Sequence, residues 1–196
     1  MGAAPDTVEH HTATGLDNRK LGMWAFLGSE CLFFGSLISS YLLYRGRSIV
    51  GPYPEDVYDI PYTSVSSFVL LMSSLTMVLA LNAIQRGDQR KLRAWLLATA
   101  LLGITFVGGQ VFEFTIFVNE GLTIQRNLFG TSFFVLTGFH GAHVTIGILM
   151  LLTLYGQSLA GRLPPQNALR VELVGLYWHF VDVVWIVIFT IIYLIT

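Results

Sequence analysis

The chain has 196 residues, of which 54% are hydrophobic and only 12% are charged, and its net charge is −1. A soluble globular domain carries about 25% charged residues, so the composition excludes an ordinary soluble domain and indicates a membrane protein. The near-zero net charge gives no support for binding to nucleic acid.

Five long apolar runs predict five transmembrane helices. About 20 helical residues cross the hydrocarbon core of a bilayer, and each run has between 21 and 28 residues. Helix is the expected form, because lipid offers no hydrogen-bond partner to an exposed backbone. We therefore predict an all-α bundle in a single domain, residues 21–196, that follows a polar tail, residues 1–20. The predicted spans are Leu21–Tyr44, Ser64–Ile84, Ala94–Val118, Leu128–Tyr155 and Val171–Ile195.

The tail and the connections between spans are polar. The tail lacks the apolar core of a secretory signal. Its adjacent His10 and His11 are interpreted as solvated residues rather than as a metal site, because no further fixed ligands accompany them. Proline and glycine mark the connections as loops. These loops are residues 45–63, 85–93, 119–127 with Gly121, and 156–170 with Gly161.

The distribution of Lys and Arg predicts the orientation. Five spans put the two termini on opposite sides of the membrane. Of the 11 Lys and Arg residues, only Arg45, Arg47 and Arg126 lie on the side of the C-terminus. By the positive-inside rule, the N-terminus faces the cytoplasm and the C-terminus faces outside. Aromatic residues near the span ends are expected at the membrane interface; they are Trp24, Tyr44, Trp95, Tyr155 and Tyr193.

Polar residues inside the spans are candidates for function or for helix packing, because a charge at the bilayer centre costs about 2.5–3.5 kcal/mol. Glu30 lies about 14 Å from the cytoplasmic end of the first span, given a rise of 1.5 Å per residue. Its neighbour Cys31, the only cysteine, is expected to be a small buried residue. The complete set of candidates is Glu30, Gln110, Glu113, His140, His143, Glu172, His179 and Asp182.

The fourth and fifth spans carry polar residues at matching depths. The helical rise places His140 at the depth of Asp182 and His143 at the depth of His179. Glu172, His179 and Asp182 share one face of the fifth helix. We therefore predict that the fourth and fifth helices pack with these polar faces together.

Glycines predict two close helix contacts, since small residues let backbones in a membrane approach one another. Gly138 and Gly141 would permit the contact of the fourth helix with the fifth. Gly108 and Gly109 would permit another contact of the third helix.

Three interpretations of the polar residues remain open. The first is metal or haem ligation by His140, His143 and His179. However, histidines three residues apart on one helix cannot ligate opposite sides of a haem, and the paired Glu-x-x-His motifs of a dinuclear site are missing from the sequence. The second is a proton relay. The third, which we favour, is a network that fixes helix packing, with lipid bound at Glu30. The sequence contains no hydrolase or nucleotide motif, so no catalytic residue is predicted.

Four stretches of the sequence resemble subunit III of the haem–copper terminal oxidases. The run LGMWAFLGSECLFFGS, around Glu30, resembles the helix that carries the membrane carboxylate of that family. GGQVFEF, residues 108–114, resembles the next part. GTSFFVLTGFHGAHVTIG, residues 130–147, is similar to its histidine-bearing helix, and YWHFVDVVWIVIF, residues 177–189, is similar to its last helix.

The resemblance implies the five-helix bacterial form of subunit III, which lacks the first two of seven helices. It implies a non-catalytic chain of the bacterial cytoplasmic membrane that stabilises subunit I, holds lipid and supports oxygen entry or proton uptake. The chain would hold no cofactor of its own, with haem and copper in partner subunits. Its partners would be subunit I, in direct contact, then subunit II, the other subunits and membrane lipid. The complex would take electrons from cytochrome c or a quinol, reduce oxygen to water and move protons.

The resemblance also suggests roles for individual residues. Glu30 matches the mid-membrane carboxylate of the family, which is associated with lipid contact and a proposed oxygen route, so bound phospholipid is expected. His140, His143, His179 and Asp182 match its interior polar positions, which implies packing groups rather than ligands.

Two other functions stay open at this point. An accessory subunit of a nitric oxide reductase would be distinguished by the subunits that co-purify with it. A stand-alone proton or ion carrier would remain intact alone in detergent and would move protons in vesicles.

Overall fold

In the described part of the chain, five helices are long and apolar enough to cross a membrane, as predicted. The computed structural model describes residues 17–45, 47, 60–125 and 127–195, so His10 and His11 lie outside the described residues. The helices are α1 (Asn18–Tyr44), α2 (Ile60–Gln85), α3 (Gln89–Asn119), α4 (Leu128–Leu159) and α5 (Ala168–Phe189). A 3₁₀ turn, Pro165–Asn167, precedes α5, and a π-helical segment, Thr190–Leu194, continues it.

The helix ends follow from local sequence. Asp17, Asp88 and Asn127 cap the N-termini of α1, α3 and α4, where each side chain accepts a hydrogen bond from a backbone N–H of the first turn. Just beyond α2, α3 and α4 the chain reverses at a glycine with positive φ, a conformation that other residues rarely adopt. These residues are Gly87, Gly121 and Gly161.

Helix α5 lies at the centre of the bundle and α1 at its edge. Helix α2 packs against α3 and α5, α4 packs against α3 and α5, and α1 contacts α4 and α5. Half of the apolar window of α5 is buried (50%), compared with 11% for α1. The buried residues of α1 recur every seven positions, at Leu27, Phe34 and Tyr41. Cys31 is exposed. The expectation that it is buried is wrong, because α1 has neighbours on one side only.

The Trp178 side chain of α5 packs against glycines of α3 and α4. A Cβ atom on Gly103 would lie 2.6 Å from Trp178 Cη2, and one on Gly147 would lie 2.8 Å from Trp178 Cε3. A larger side chain at either position therefore requires the indole to move. The predicted contact at Gly138 is wrong, because nothing lies within 4 Å of a Cβ at that position, and Gly141 meets a side chain of α3 instead of α5.

Helices α2 and α3 form an antiparallel hairpin joined at two levels. Thr76 Oγ1 lies 2.8 Å from Thr99 Oγ1, and the Tyr62 hydroxyl donates to the Gly109 carbonyl oxygen at 3.3 Å. Two glycines were predicted to mark a close contact of α3. Gly109 does so, whereas nothing lies within 4 Å of a Cβ atom placed on Gly108.

Candidate functional site

Glu30 and His143 form a polar contact between α1 and α4 inside the membrane-spanning region. Glu30 Oε2 lies 3.3 Å from His143 Nε2, and the two side chains are 18% and 15% exposed. His143 Nδ1 lies 2.7 Å from the carbonyl oxygen of Phe139. A carbonyl oxygen only accepts, so Nδ1 carries a hydrogen, and Nε2 is the ring nitrogen that faces the carboxylate.

Aromatic side chains from two helices, α1 and α5, lie around this pair. The His143 ring lies 5.0 Å from the Phe34 ring and 6.2 Å from the Phe33 ring, both on α1. From α5, the Tyr177 hydroxyl donates to the His143 carbonyl oxygen at 3.0 Å. Helices α1, α4 and α5 therefore meet at this position.

A second ion pair holds α1 near its N-terminus. Lys20 Nζ lies 2.6 Å from Glu172 Oε1 on α5, and both side chains are about one-third exposed. An exposed ion pair contributes at most about 1 kcal/mol. Lys20–Glu172 and Glu30–His143 thus fasten α1 to the bundle at two levels, one close to the membrane surface and one within the membrane.

Three serines of α2 hydrogen-bond three ring nitrogens of α5. Trp185 Nε1 donates to Ser67 Oγ at 2.8 Å, Trp178 Nε1 donates to Ser73 Oγ at 2.9 Å, and Ser74 Oγ lies 2.5 Å from His179 Nδ1. A buried indole N–H needs an acceptor, which these small side chains provide. Sequence reasoning missed the serines. The available signal was spacing, since the two serines that accept from the indoles, Ser67 and Ser73, are six residues apart and Trp178 and Trp185 are seven apart, on antiparallel helices.

Glu113 of α3 is buried near the end of the bundle that is opposite to the Lys20–Glu172 ion pair. Its Oε1 accepts hydrogen bonds from Thr63 Oγ1 at 2.7 Å and from the Tyr193 hydroxyl at 3.2 Å. The contact therefore joins α2, α3 and the segment after α5. The expectation that Tyr193 is an interfacial aromatic is wrong, because its side chain is buried and its hydroxyl faces this carboxylate.

Three further candidates are buried without a hydrogen-bond partner among the described residues. Gln110, His140 and Asp182 are 5%, 0% and 3% exposed. The His140 ring stacks on Trp185, with centroids 4.9 Å apart and an interplanar angle of 25°. It also meets the edge of the Phe106 ring at 6.0 Å. His140 is thus packed as an aromatic ring within the core.

The shared polar face predicted for α4 and α5 does not form. The two helices do pack together, but His143 contacts Glu30 on α1 and His179 contacts Ser74 on α2. The reason is that the nearest hydrogen-bonding side chains lie on those other helices. Seven side chains were predicted to form one buried polar network. Among the hydrogen bonds between described residues, none joins two of these seven side chains. The seven are Gln110, Glu113, His140, His143, Glu172, His179 and Asp182.

The three histidine rings have different stacking or polar partners. Their ring contacts are Trp185 for His140, Glu30 for His143 and Ser74 for His179. In the described part of the chain, no three His, Cys, Asp or Glu side chains come together in an arrangement able to hold a metal ion.

The sequence of nearly the whole chain matches a single protein family. Residues 5–196 match the family model for cytochrome c oxidase subunit III. The chain belongs to the cytochrome c oxidase subunit III family. It is 37% identical over 190 residues to cytochrome c oxidase subunit 3 of Bacillus sp. (strain PS3), an alignment that covers 97% of this chain and 92% of that protein.

Two further relatives carry names that refer to quinol. The chain is 38% identical over 187 residues to quinol oxidase subunit 3 of Bacillus subtilis (strain 168), which covers 95% of this chain and 91% of that protein. It is 38% identical over 177 residues to cytochrome bo(3) ubiquinol oxidase subunit 3 of Pseudomonas aeruginosa, an alignment that covers 90% of this chain and 85% of that protein. The chain is therefore a multi-pass membrane subunit III of a terminal oxidase complex, and subunit III of this family is a non-redox subunit.

Proposed function

We propose that this subunit III is a non-catalytic partner packed directly against subunit I in a bacterial cytoplasmic membrane. The complex takes electrons from cytochrome c or a quinol, reduces oxygen to water and moves protons, and its haem and copper are held by partner subunits. The observation that carries the proposal is the match over residues 5–196 together with relatives named as subunits of both kinds of oxidase.

The same proposal places the N-terminus in the cytoplasm and the C-terminus outside. The end of the bundle that contains the N-terminus of α1, the α2–α3 turn and the α4–α5 connection carries eight of the 11 Lys and Arg residues. Lys and Arg next to membrane spans are retained on the cytoplasmic side.

Helix α1 is proposed to stabilise the complex through lipid. The Glu30–His143 pair is partly exposed, and each side chain is the polar partner of the other, so neither faces acyl chains as an isolated polar group. Beside it, α1 and α5 border a groove of about 350 Å³ with an almost wholly apolar lining that includes Trp24, Cys31 and Phe180. A groove of this chemistry fits an acyl chain, and an apolar path next to Glu30 is also compatible with oxygen entry.

The test is affinity purification of this chain in mild detergent, followed by an optical spectrum, mass spectrometry and oxygen consumption. We expect a haem-bearing partner of the subunit I type, with turnover driven by either reduced cytochrome c or a quinol, which identifies the donor. A haem-bearing partner that reduces nitric oxide and not oxygen would replace the proposal with a reductase subunit. A colourless chain that is stable alone and moves protons in vesicles would replace it with a carrier.

A further inference from the structure

The α2–α3 hairpin carries a groove on its surface near the turn at Gly87. Its volume is about 380 Å³. Apolar and polar side chains line different parts of it. The apolar lining consists of Leu79, Ala83 and Trp95, and the polar lining consists of Asn82, Arg86, Asp88 and Lys91.

The polar part of the groove carries one excess positive charge. Lys91 Nζ lies 3.2 Å from Asp88 Oδ2, so these two side chains compensate each other. The hydrogen bond that the Lys91 backbone N–H donates to Asp88 Oδ1, at 3.0 Å, holds the pKa of Asp88 below its usual value, which keeps the carboxylate ionised at neutral pH. Arg86 is exposed and has no ion-pair partner in the described part of the chain. Its charge is therefore free for an anion.

The N-terminus of α3 adds to this positive potential. Helix α3 begins at Gln89, beside the groove, and its first backbone N–H groups carry a partial positive charge. The anion-binding character of the groove thus rests on the unpaired charge of Arg86, with the helix end as a secondary contribution.

The groove lies at the depth where a phospholipid changes from headgroup to acyl chain. Trp95 is six residues into α3, about 9 Å along the helix from its first residue, and it is partly buried. Tryptophan is enriched at the membrane–water interface. The charged rim therefore lies at headgroup level, whereas Leu79 and Trp95 lie toward the hydrocarbon.

We infer that this groove binds an acidic phospholipid, with the phosphate at Arg86 and an acyl chain along Leu79 and Trp95. A zwitterionic headgroup would bring its own cation next to Arg86, so the unbalanced charge selects a lipid with net negative charge. The inference extends the proposed lipid-holding role to a second place on the chain, distant from Glu30, and it rests on that role.

The experiment compares the purified oxidase complex with two variants that each lose one positive charge from the same hairpin. Arg86→Gln changes the groove, whereas Arg90→Gln changes an exposed residue that does not line it. The partly delipidated complexes are titrated with dioleoyl-phosphatidylglycerol or dioleoyl-phosphatidylcholine, and bound lipid is counted by native mass spectrometry. We expect Arg86→Gln to weaken phosphatidylglycerol binding about fivefold, the effect of one basic residue near an anionic headgroup, and Arg90→Gln to leave it unchanged.

Two further arms separate the possible occupants. Asn82→Trp fills the groove and keeps every charge, so it should also reduce binding of phosphatidylglycerol. Soluble glycerol phosphate, added at the same concentration, should compete poorly because it lacks acyl chains. If it competes as well as the lipid, the ligand is a free phosphate ester and the inference is overturned.

Other outcomes overturn the inference in distinct ways. Equal loss of phosphatidylglycerol in Arg86→Gln and Arg90→Gln would mean a diffuse charge effect without a site. Release of another subunit from Arg86→Gln, with lipid unchanged, would mean that an acidic protein segment occupies the groove. An assembled complex that holds no phosphatidylglycerol here contradicts this inference alone, whereas a wild-type chain that recruits no oxidase subunit contradicts the proposed function.

Discussion

His143 Nε2 faces Glu30 Oε2 at 3.3 Å while His143 Nδ1 donates to the carbonyl oxygen of Phe139. These two contacts fix the orientation of the imidazole, with a hydrogen on Nδ1. The arrangement explains how the peripheral helix α1 carries a carboxyl group inside the membrane-spanning region. The carboxyl group is half of a polar pair that attaches α1 to α4.

Replacement of Glu30 should weaken the attachment of α1 to α4 without preventing assembly of the complex. Glu30→Ala removes the partner of His143 Nε2 and leaves a partly buried polar group unpaired, at a cost of up to about 1–3 kcal/mol. We expect the complex to assemble, because Lys20–Glu172 and the packing of Phe34 and Tyr41 remain. Retained phospholipid per complex and the persistence of oxygen consumption should fall. Glu30→Gln, which still offers a hydrogen bond, is the control. Loss of the whole complex, or equal effects of the two variants, would contradict this account.

Gly147→Ala should destabilise the bundle, because its Cβ would lie 2.8 Å from Trp178 ring atoms that are buried on every side. Overpacking of this kind costs about 1–3 kcal/mol. Gly138→Ala is the matched control on the same helix, with nothing within 4 Å of its Cβ. Thermal unfolding of the two purified complexes measures the difference, and a Gly147→Ala complex as stable as the control would show that Trp178 can shift at little cost.

The five spans could be predicted because length and hydropathy are local properties of the sequence. The side of each helix that faces protein could not be predicted in the same way. Lipid and bundle core are both apolar, so the helices are hydrophobic all round, and periodicity carries little information about packing. The incorrect expectations for Cys31 and Tyr193 both arise from this cause.

The contact partners of the polar side chains could not be predicted from the sequence, for a related reason. The depths of His143 and His179 were estimated from the helical rise, but their partners Glu30 and Ser74 depend on which helices are neighbours. Likewise, the choice between Gly138 and Gly147 as the close contact depends on where the Trp178 indole packs. Both are consequences of the tertiary arrangement of helices far apart in sequence.

His179→Leu should impair assembly of the complex. The change removes the ring nitrogen that contacts Ser74 and places a branched side chain at the α2–α5 contact. We expect a lower yield of complex, because the variant loses about 1–3 kcal/mol of folding stability. His179→Gln retains a hydrogen-bonding side chain of similar reach and should recover part of the yield. A normal yield for His179→Leu, measured by haem content after affinity purification, would count against a packing role for this histidine.

The serines of α2 should contribute more to the stability of the bundle than their small side chains suggest. Ser67 donates to the Thr63 carbonyl oxygen and accepts from the Trp185 indole, and Ser73 similarly joins the Leu70 carbonyl oxygen to the Trp178 indole. A backbone carbonyl oxygen that loses the hydroxyl keeps its helical hydrogen bond, whereas an indole N–H has no second acceptor within its own helix.

Ser73→Ala should therefore leave the Trp178 N–H buried and unpaired, which costs about 1–3 kcal/mol and lowers the unfolding temperature of the complex. The control is Ser39→Ala on α1, since Ser39 is exposed and its hydroxyl donates only to the Gly35 carbonyl oxygen of its own helix. That variant should be nearly neutral. Tryptophan emission provides a second measurement, because an indole released from its hydrogen bond changes its emission only in the Ser73 variant. Equal unfolding temperatures for the two variants would show that the α2–α5 contact depends on ring packing and not on the indole hydrogen bonds.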